Sequence, residues 1–196
     1  MSNESNPLSD KIIITKILNG DIQAFAVIIK NTEKLVTQIV QKLTANEEHQ
    51  KDIVQEVYLK TYQNLSSFQF KSKLSTWIAN IAYNTSINYL KKKSIPTTDM
   101  EAIDKNKVRI LENPELLSIK NETVLILTKE IDKLPPLYKT LITLYHLEEL
   151  SNKEIAEITK LPEGTIKSYL SRARKILKNR INHHYKIFSY GRKTFN

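Results

Sequence analysis

The chain has no cysteine among its 196 residues, which excludes disulfide frameworks, thiolate metal sites and cysteine nucleophiles and suits a reducing compartment. Only three glycines are present and hairpin dipeptides are scarce, which argues against a mainly β architecture. No apolar stretch approaches the roughly 20 residues that a membrane span requires. Met1 to Pro7 lacks a basic start leading into an apolar run, so no secretory signal is expected. Gly-rich phosphate loops are missing too. The four histidines, His49, His146, His183 and His184, lack the H-x-x-x-H spacing that sets two ligands on one helix face. Glu148-Glu149 sits where turn or cap chemistry explains it. The expectation is a cytoplasmic protein that is not an enzyme, with no catalytic residue, metal, cofactor or small-molecule substrate. An apolar content of 40% suffices for the cores of one or two compact domains.

Acidic residues are absent in one place that matters. Beyond Glu163 the chain carries nine Lys or Arg and no Asp or Glu. The formal net charge is +9, so everything up to Glu163 sums to zero and the basic surplus is concentrated at the C-terminal end. It coincides with a local pattern. Ser151-x-x-Glu154 has the form of a capping box that opens a helix. Leu161-Pro162-Glu163-Gly164 turns the chain, with Pro162 suited to the first turn of the next helix. Thr165 to Ile181 then reads as a second helix with Ile166, Leu170, Ala173 and Leu177 facing inward. The opposite face presents Lys167, Ser168, Ser171, Arg172, Arg174 and Lys175. Two helices joined by a tight turn, the second one basic, outline a helix-turn-helix that reads duplex DNA. A merely solvated face would intersperse acids among the bases.

Upstream, residues 9–94 read as one helical domain. Ile13, Ile14, Ile17 and Leu18 mark a helix ending at Gly20, and Asp21 caps a second running to about Leu43. A third carries Ile53, Val57, Thr61 and Leu65, and a fourth runs from about Leu74 to Lys93. Residues 95–118, with Pro96 and Pro114, read as a flexible linker. A second domain over 119–182 contains the helix-turn-helix, and 183–196 form a basic-aromatic tail. The fold class is all-α, two small helical domains.

In the third helix Asp52, Gln55 and Glu56 share a polar face opposite Ile53, Val54 and Val57. Taken alone, such a patch is ordinary helix surface. The loop Ser66 to Lys73 and the helix after it gather Phe68, Phe70, Lys71, Lys73, Trp77 and the aligned Asn80, Asn84 and Asn88, with Lys91, Lys92 and Lys93 beyond. Aromatic walls, amides and cations suit unstacked single-stranded bases; core packing is the competing reading for Phe68 and Trp77.

With these motifs in order, the sequence strongly resembles the sigma-70 family of bacterial RNA polymerase sigma factors, specifically the extracytoplasmic-function (ECF) group. Asp52 to Tyr58 matches D-x-V-Q-E-x-F/Y, and Ser67-Phe68 with Thr76 to Asn84 matches S-F…W-L-x-x-I-A-x-N. Leu134-Pro135, Leu150 to Ala156 and Pro162 to Ser168 match L-P, L-S-x-x-E-I-A and P-x-G-T-V-K-S. The resemblance implies that Asp52, Gln55 and Glu56 dock on core RNA polymerase. It implies that Phe68, Lys71, Lys73, Trp77, Asn80, Asn84, Lys91 and Lys92 capture the melted downstream promoter element. Gly164, Thr165, Lys167, Ser168, Ser171, Arg172, Arg174 and Lys175 would read the upstream element as duplex. It also implies an anti-sigma factor as partner. Phe70 departs from the family, which often carries Gly there. The alternative is a stand-alone helix-turn-helix regulator, which leaves the Asp52–Glu56 patch and the aromatic loop unexplained.

Overall fold

The computed structural model describes the backbone of residues 7–93 and 119–191, and side chains within 8–92 and 124–182. The linker at 95–118 and the end of the tail lie outside the described residues. The first domain contains α1 (Pro7–Leu18), a 3-10 turn (Ile22–Ala24), α2 (Phe25–Leu43), α3 (Glu47–Asn64), a 3-10 turn (Leu65–Ser67) and α4 (Leu74–Lys93). The second contains α5 (Ile119–Asp132), α6 (Pro136–Ile142), a π-helical turn (Thr143–Leu147), α7 (Asn152–Thr159) and α8 (Glu163–Gly191). The described residues are all-α, as expected, and none of their helices is long and apolar enough to cross a membrane.

Local chemistry sets the ends of these helices. Asp21 accepts the Ala24 amide proton at 3.2 Å, so it caps the 3-10 turn rather than α2 itself, and Gly20 before it takes φ +100. Asn46 caps α3 by accepting from the Glu48 and His49 amides, while Glu47 and Glu48 favour the positive end of the helix dipole. Pro136 occupies the first turn of α6, where its missing N–H costs nothing. Along α2, Ile28, Val36, Ile39, Val40 and Leu43 are buried at helical spacing. They join Ile53 and Val57 of α3 and Ile78, Ala79 and Ala82 of α4 in the core, with α2, α3 and α4 packed on one another. Thr32 lies buried within this bundle, bonded to the Tyr58 hydroxyl at 3.2 Å.

In the second domain α8 is the axis against which α5, α6 and α7 pack. Ile166, Leu170, Ala173 and Leu177 are buried, the inward stripe read from the sequence. The capping box is complete: Ser151 Oγ accepts the Glu154 amide proton, and a Glu154 carboxylate oxygen accepts the Ser151 amide proton. Two details of the turn differ from the expectation. The left-handed residue that closes α7 is Lys160 (φ 59), not a glycine. Pro162 lies just before α8, where its carbonyl accepts from the Thr165 and Ile166 amides. Gly164 is inside the helix. The second helix also runs further than its periodicity suggested, to Gly191. Ser151→Ala is expected to lower the stability of the second domain by about 1 kcal/mol, measured by urea unfolding; an unchanged midpoint would mean that the box contributes nothing.

The two domains touch. α7 lies across α4, and α6 against α2. Among the described residues, ion pairs that bridge them include Lys34–Glu148 at 3.0 Å, Lys42–Asp132 at 2.6 Å and Lys73–Glu154 at 2.8 Å. Lys139 is buried at the Lys42–Asp132 pair, and burial pulls its ammonium below the usual lysine range, Asp132 opposing and Lys42 reinforcing that effect.

Candidate nucleic-acid and partner interfaces

Three groups of side chains stand on the surfaces these helices provide. On α3, Asp52, Gln55 and Glu56 are all exposed, because the same helix turns Ile53 and Val57 into the core. Glu56 pairs with Lys60 one turn on, at 2.6 Å. The structure adds a member: Leu59, 57% exposed, lies three and four residues after Glu56 and Gln55 and shares their face. A single exposed leucine is ordinary surface; what sets Leu59 apart is its place on the same face as the three polar residues. Its spacing was the signal, available in the sequence.

The second group lies on the loop before α4 and on α4. Phe68 does not stand open as a wall for a base. It is 7% exposed, its ring 4.8 Å from Phe70 and 5.3 Å from Trp77. Leu65 opens the 3-10 turn and Leu74 opens α4, both buried, and Phe68, between them in sequence, is drawn into the same core. Trp77 is half-buried. The exposed aromatic is Phe70, with 46% of its surface accessible and a left-handed backbone (φ 54) that a bulky side chain rarely adopts. Lys71 and Lys73 flank it, and Lys91 and Lys92 are exposed at the far end of α4.

Asn80 and Asn84 are brought together as the four-residue spacing required: Asn84 Nδ2 donates to Asn80 Oδ1 at 3.2 Å. Asn80 Nδ2 in turn donates to two backbone carbonyls of α7, Ile158 at 2.6 Å and Glu157 at 3.2 Å. Lys73 meets the Glu154 carboxylate beside them. Burial by itself would raise the Glu154 pKa. The Lys73 ammonium and the Ser151 amide and hydroxyl outweigh it and hold the carboxyl below its usual value.

The third group is the first half of α8. Gly164, Lys167, Ser168, Ser171, Arg172, Arg174 and Lys175 are exposed and Thr165 is half-buried. A Cβ on Gly164 would meet nothing within 4 Å, so its backbone offers a close approach rather than a packing need. The Arg172 guanidinium lies 6.0 Å from the Tyr169 ring centroid, a neighbour the sequence pattern did not single out. Arg174 is held from behind: its Nε donates to His146 Nε2 at 3.1 Å and its guanidinium stacks 5.2 Å from the Tyr145 ring centroid. Burial and the Arg174 charge both lower the His146 pKa, which favours the neutral ring that accepts this bond.

Comparison with known proteins gives these surfaces a frame. The model of sigma-70 region 2 matches residues 28–95, and that of sigma-70 region 4 matches residues 125–177. The ECF RNA polymerase sigma-E factor of Escherichia coli (strain K12) is 32% identical over 185 residues, covering 90% of this chain and 96% of that protein. The sigma-E factor of Haemophilus influenzae is 32% identical over 182 residues, covering 89% and 96%. Among solved structures, the sigma factor RpoE of Bartonella quintana, in complex with the anti-sigma factor NepR, is similar with a TM-score of 0.67 at 22% identity, covering 82% of this chain and 98% of that one. CnrH, in complex with the cytosolic domain of CnrY, gives 0.61 at 16% identity, covering 89% and 97%. Both region models match in order, and relatives a third identical span nearly the whole chain. The chain belongs to the sigma-70 family of RNA polymerase sigma factors, in its ECF group.

Proposed function

We propose that this ECF sigma factor directs core RNA polymerase to promoters through three separate surfaces. Asp52, Gln55, Glu56 and Leu59 dock on the polymerase. Phe70, Asn80 and Asn84, with Lys71, Lys73, Lys91 and Lys92, hold the melted downstream element. Thr165, Lys167, Ser168, Ser171 and Arg172 read the upstream duplex, and Arg174 and Lys175 neutralise its phosphates. The chain contributes recognition and no bond-making step, it acts in the cytoplasm, and an anti-sigma protein is its expected regulator. The observation that carries the reading is the exposed first half of α8, where polar and basic side chains from Lys167 to Lys175 stand opposite a fully buried stripe. Near a helix N-terminus such side chains reach base edges in the major groove.

Run-off transcription on genomic fragments tests the whole reading. Discrete transcripts are expected only when core polymerase and this chain are both present. Gel shift of an upstream duplex that is strong without polymerase and unimproved by it would favour a stand-alone regulator instead.

Reader and clamp also separate. Lys167→Ala is expected to cost about 1–3 kcal/mol and to relax preference at one base pair. Lys175→Ala is expected to weaken all sequences alike and to reduce the salt slope by about one. Binding to a randomised promoter library at two salt concentrations measures both; identical uniform losses would remove the distinction.

A further inference from the structure

We propose that His146 and Tyr145 are positioning residues for the upstream reader, a cradle that fixes Arg174 so that its two Nη groups face a phosphate. The cradle acts through Arg174 as the phosphate contact given above, and so rests on that reading. It is built by one π-helical turn, Thr143–Leu147, in which the Glu148 amide donates to the Thr143 carbonyl at 3.0 Å. Single π-helical turns are rare and are found frequently at functional sites. Here two consecutive side chains meet one guanidinium from different sides. The Tyr145 ring centroid lies 5.2 Å from the guanidinium carbon, and His146 Nε2 accepts from Arg174 Nε at 3.1 Å. The two rings stand 76° apart with centroids at 4.9 Å, so one covers the face of the guanidinium while the other holds its edge.

This arrangement restricts what Arg174 can do. A guanidinium grips an oxyanion either through Nε and one Nη or through both Nη groups, since its five donors form a rigid fork. With Nε taken by the imidazole, the end-on approach through both Nη groups remains. The bond requires a neutral ring with its proton on Nδ1, because an imidazolium has no acceptor. Burial and the Arg174 charge both favour that neutral form. The core makes no demand for these contacts. Arg174 and His146 are exposed, while the buried stripe of α8 passes through Ala173 and Leu177. An arginine held on an exposed helix face has already lost the rotamer freedom that binding would otherwise remove. Such order favours capture of a phosphate.

Promoter binding by reconstituted holoenzyme tests the cradle, on a fragment found by the run-off assay. Arg174→Ala checks the phosphate contact first: the slope of log affinity against log salt should fall by about one. His146→Ala keeps the arginine charge, so the slope should hold while affinity falls between about twofold and tenfold. His146→Gln offers Arg174 Nε a side-chain carbonyl and should recover most of that loss. Arg174→Lys keeps the charge without the fork, so adding His146→Ala to it should have no further effect. An unchanged slope in Arg174→Ala would take the phosphate contact off Arg174, and the cradle would fall with it. The expected slope change together with wild-type affinity in His146→Ala would overturn positioning alone. Tighter binding by His146→Ala would also overturn it, the turn then withholding Arg174 from DNA. A loss from His146→Ala that is equal with Arg174 and with Arg174→Lys would make the role structural, and urea unfolding would show the same loss as a lowered midpoint.

Discussion

Capture of core RNA polymerase is expected to fall by roughly 700-fold in the variant that combines Asp52→Ala with Glu56→Ala, while the chain stays folded. Anchoring residues at interfaces cost about 2 kcal/mol or more each on truncation, and every 1.4 kcal/mol is about a factor of ten. Against the fold, the same substitutions weigh little. Both side chains are exposed, and the pair from Glu56 to Lys60 is an i,i+4 contact on a helix surface, worth about 0.3–0.5 kcal/mol. Thermal unfolding should therefore move by a degree or two at most, and the circular dichroism spectrum should be unchanged. Leu59→Ala separates the apolar part of the surface from the charged part, since the leucine already pays no burial to the core. A weaker but clear loss of capture is expected from it, with little salt dependence, whereas the loss from Asp52 and Glu56 should shrink as salt screens the wild-type interaction. Equal pull-down of polymerase by wild type and the double variant would take the docking site off α3.

What the sequence made legible follows the range of the interactions involved. The span of α4 from Leu74 to Lys93, the capping box of Ser151 and Glu154 and the buried stripe from Ile166 to Leu177 are written in spacings of three and four residues. A pattern of that range survives in any tertiary setting. The left-handed close of α7 fell on Lys160, one residue before the Leu161 to Gly164 segment marked as the turn and four before its glycine, and backbone geometry there is set by how α7 and α8 pack. The exit of α8 was invisible for another reason: beyond Ile181 there is no apolar period to follow, and helix continues to Gly191 without one. The contacts between the domains had no local signature at all. Asn80 meets carbonyls 77 and 78 positions away, a partner that its local pattern, read as a contact for bases, did not suggest. Its alignment with Asn84 was readable; its occupant was not.

The same limit applied to the loop aromatics, and it gives the second large effect. Phe68→Ala is expected to destabilise the first domain by about 3–5 kcal/mol, the usual cost of emptying a buried phenyl site. The ring is nearly inaccessible and touches both Phe70 and Trp77, so its loss undermines the loop and the start of α4 together. Promoter opening would fail in such a variant for want of a folded loop, and a defect there says nothing about bases. Phe70→Gly makes the opposite trade. Its exposed ring leaves, and with it one contact to Phe68, but a left-handed position is relieved of a Cβ, worth roughly 1–2 kcal/mol, against the backbone entropy of glycine, roughly 0.5–1 kcal/mol. The unfolding midpoint should hardly move. If Phe70 is the wall on which a flipped base rests, the variant loses about 1–3 kcal/mol of stacking, and the holoenzyme should dock on upstream duplex as before yet yield less permanganate-reactive open complex. A pre-melted template should recover the part of the defect that belongs to melting. Normal opening by Phe70→Gly, with Phe68→Ala destabilised as expected, would leave the loop a structural element and move the capture of the strand onto Asn80, Asn84 and the lysines alone.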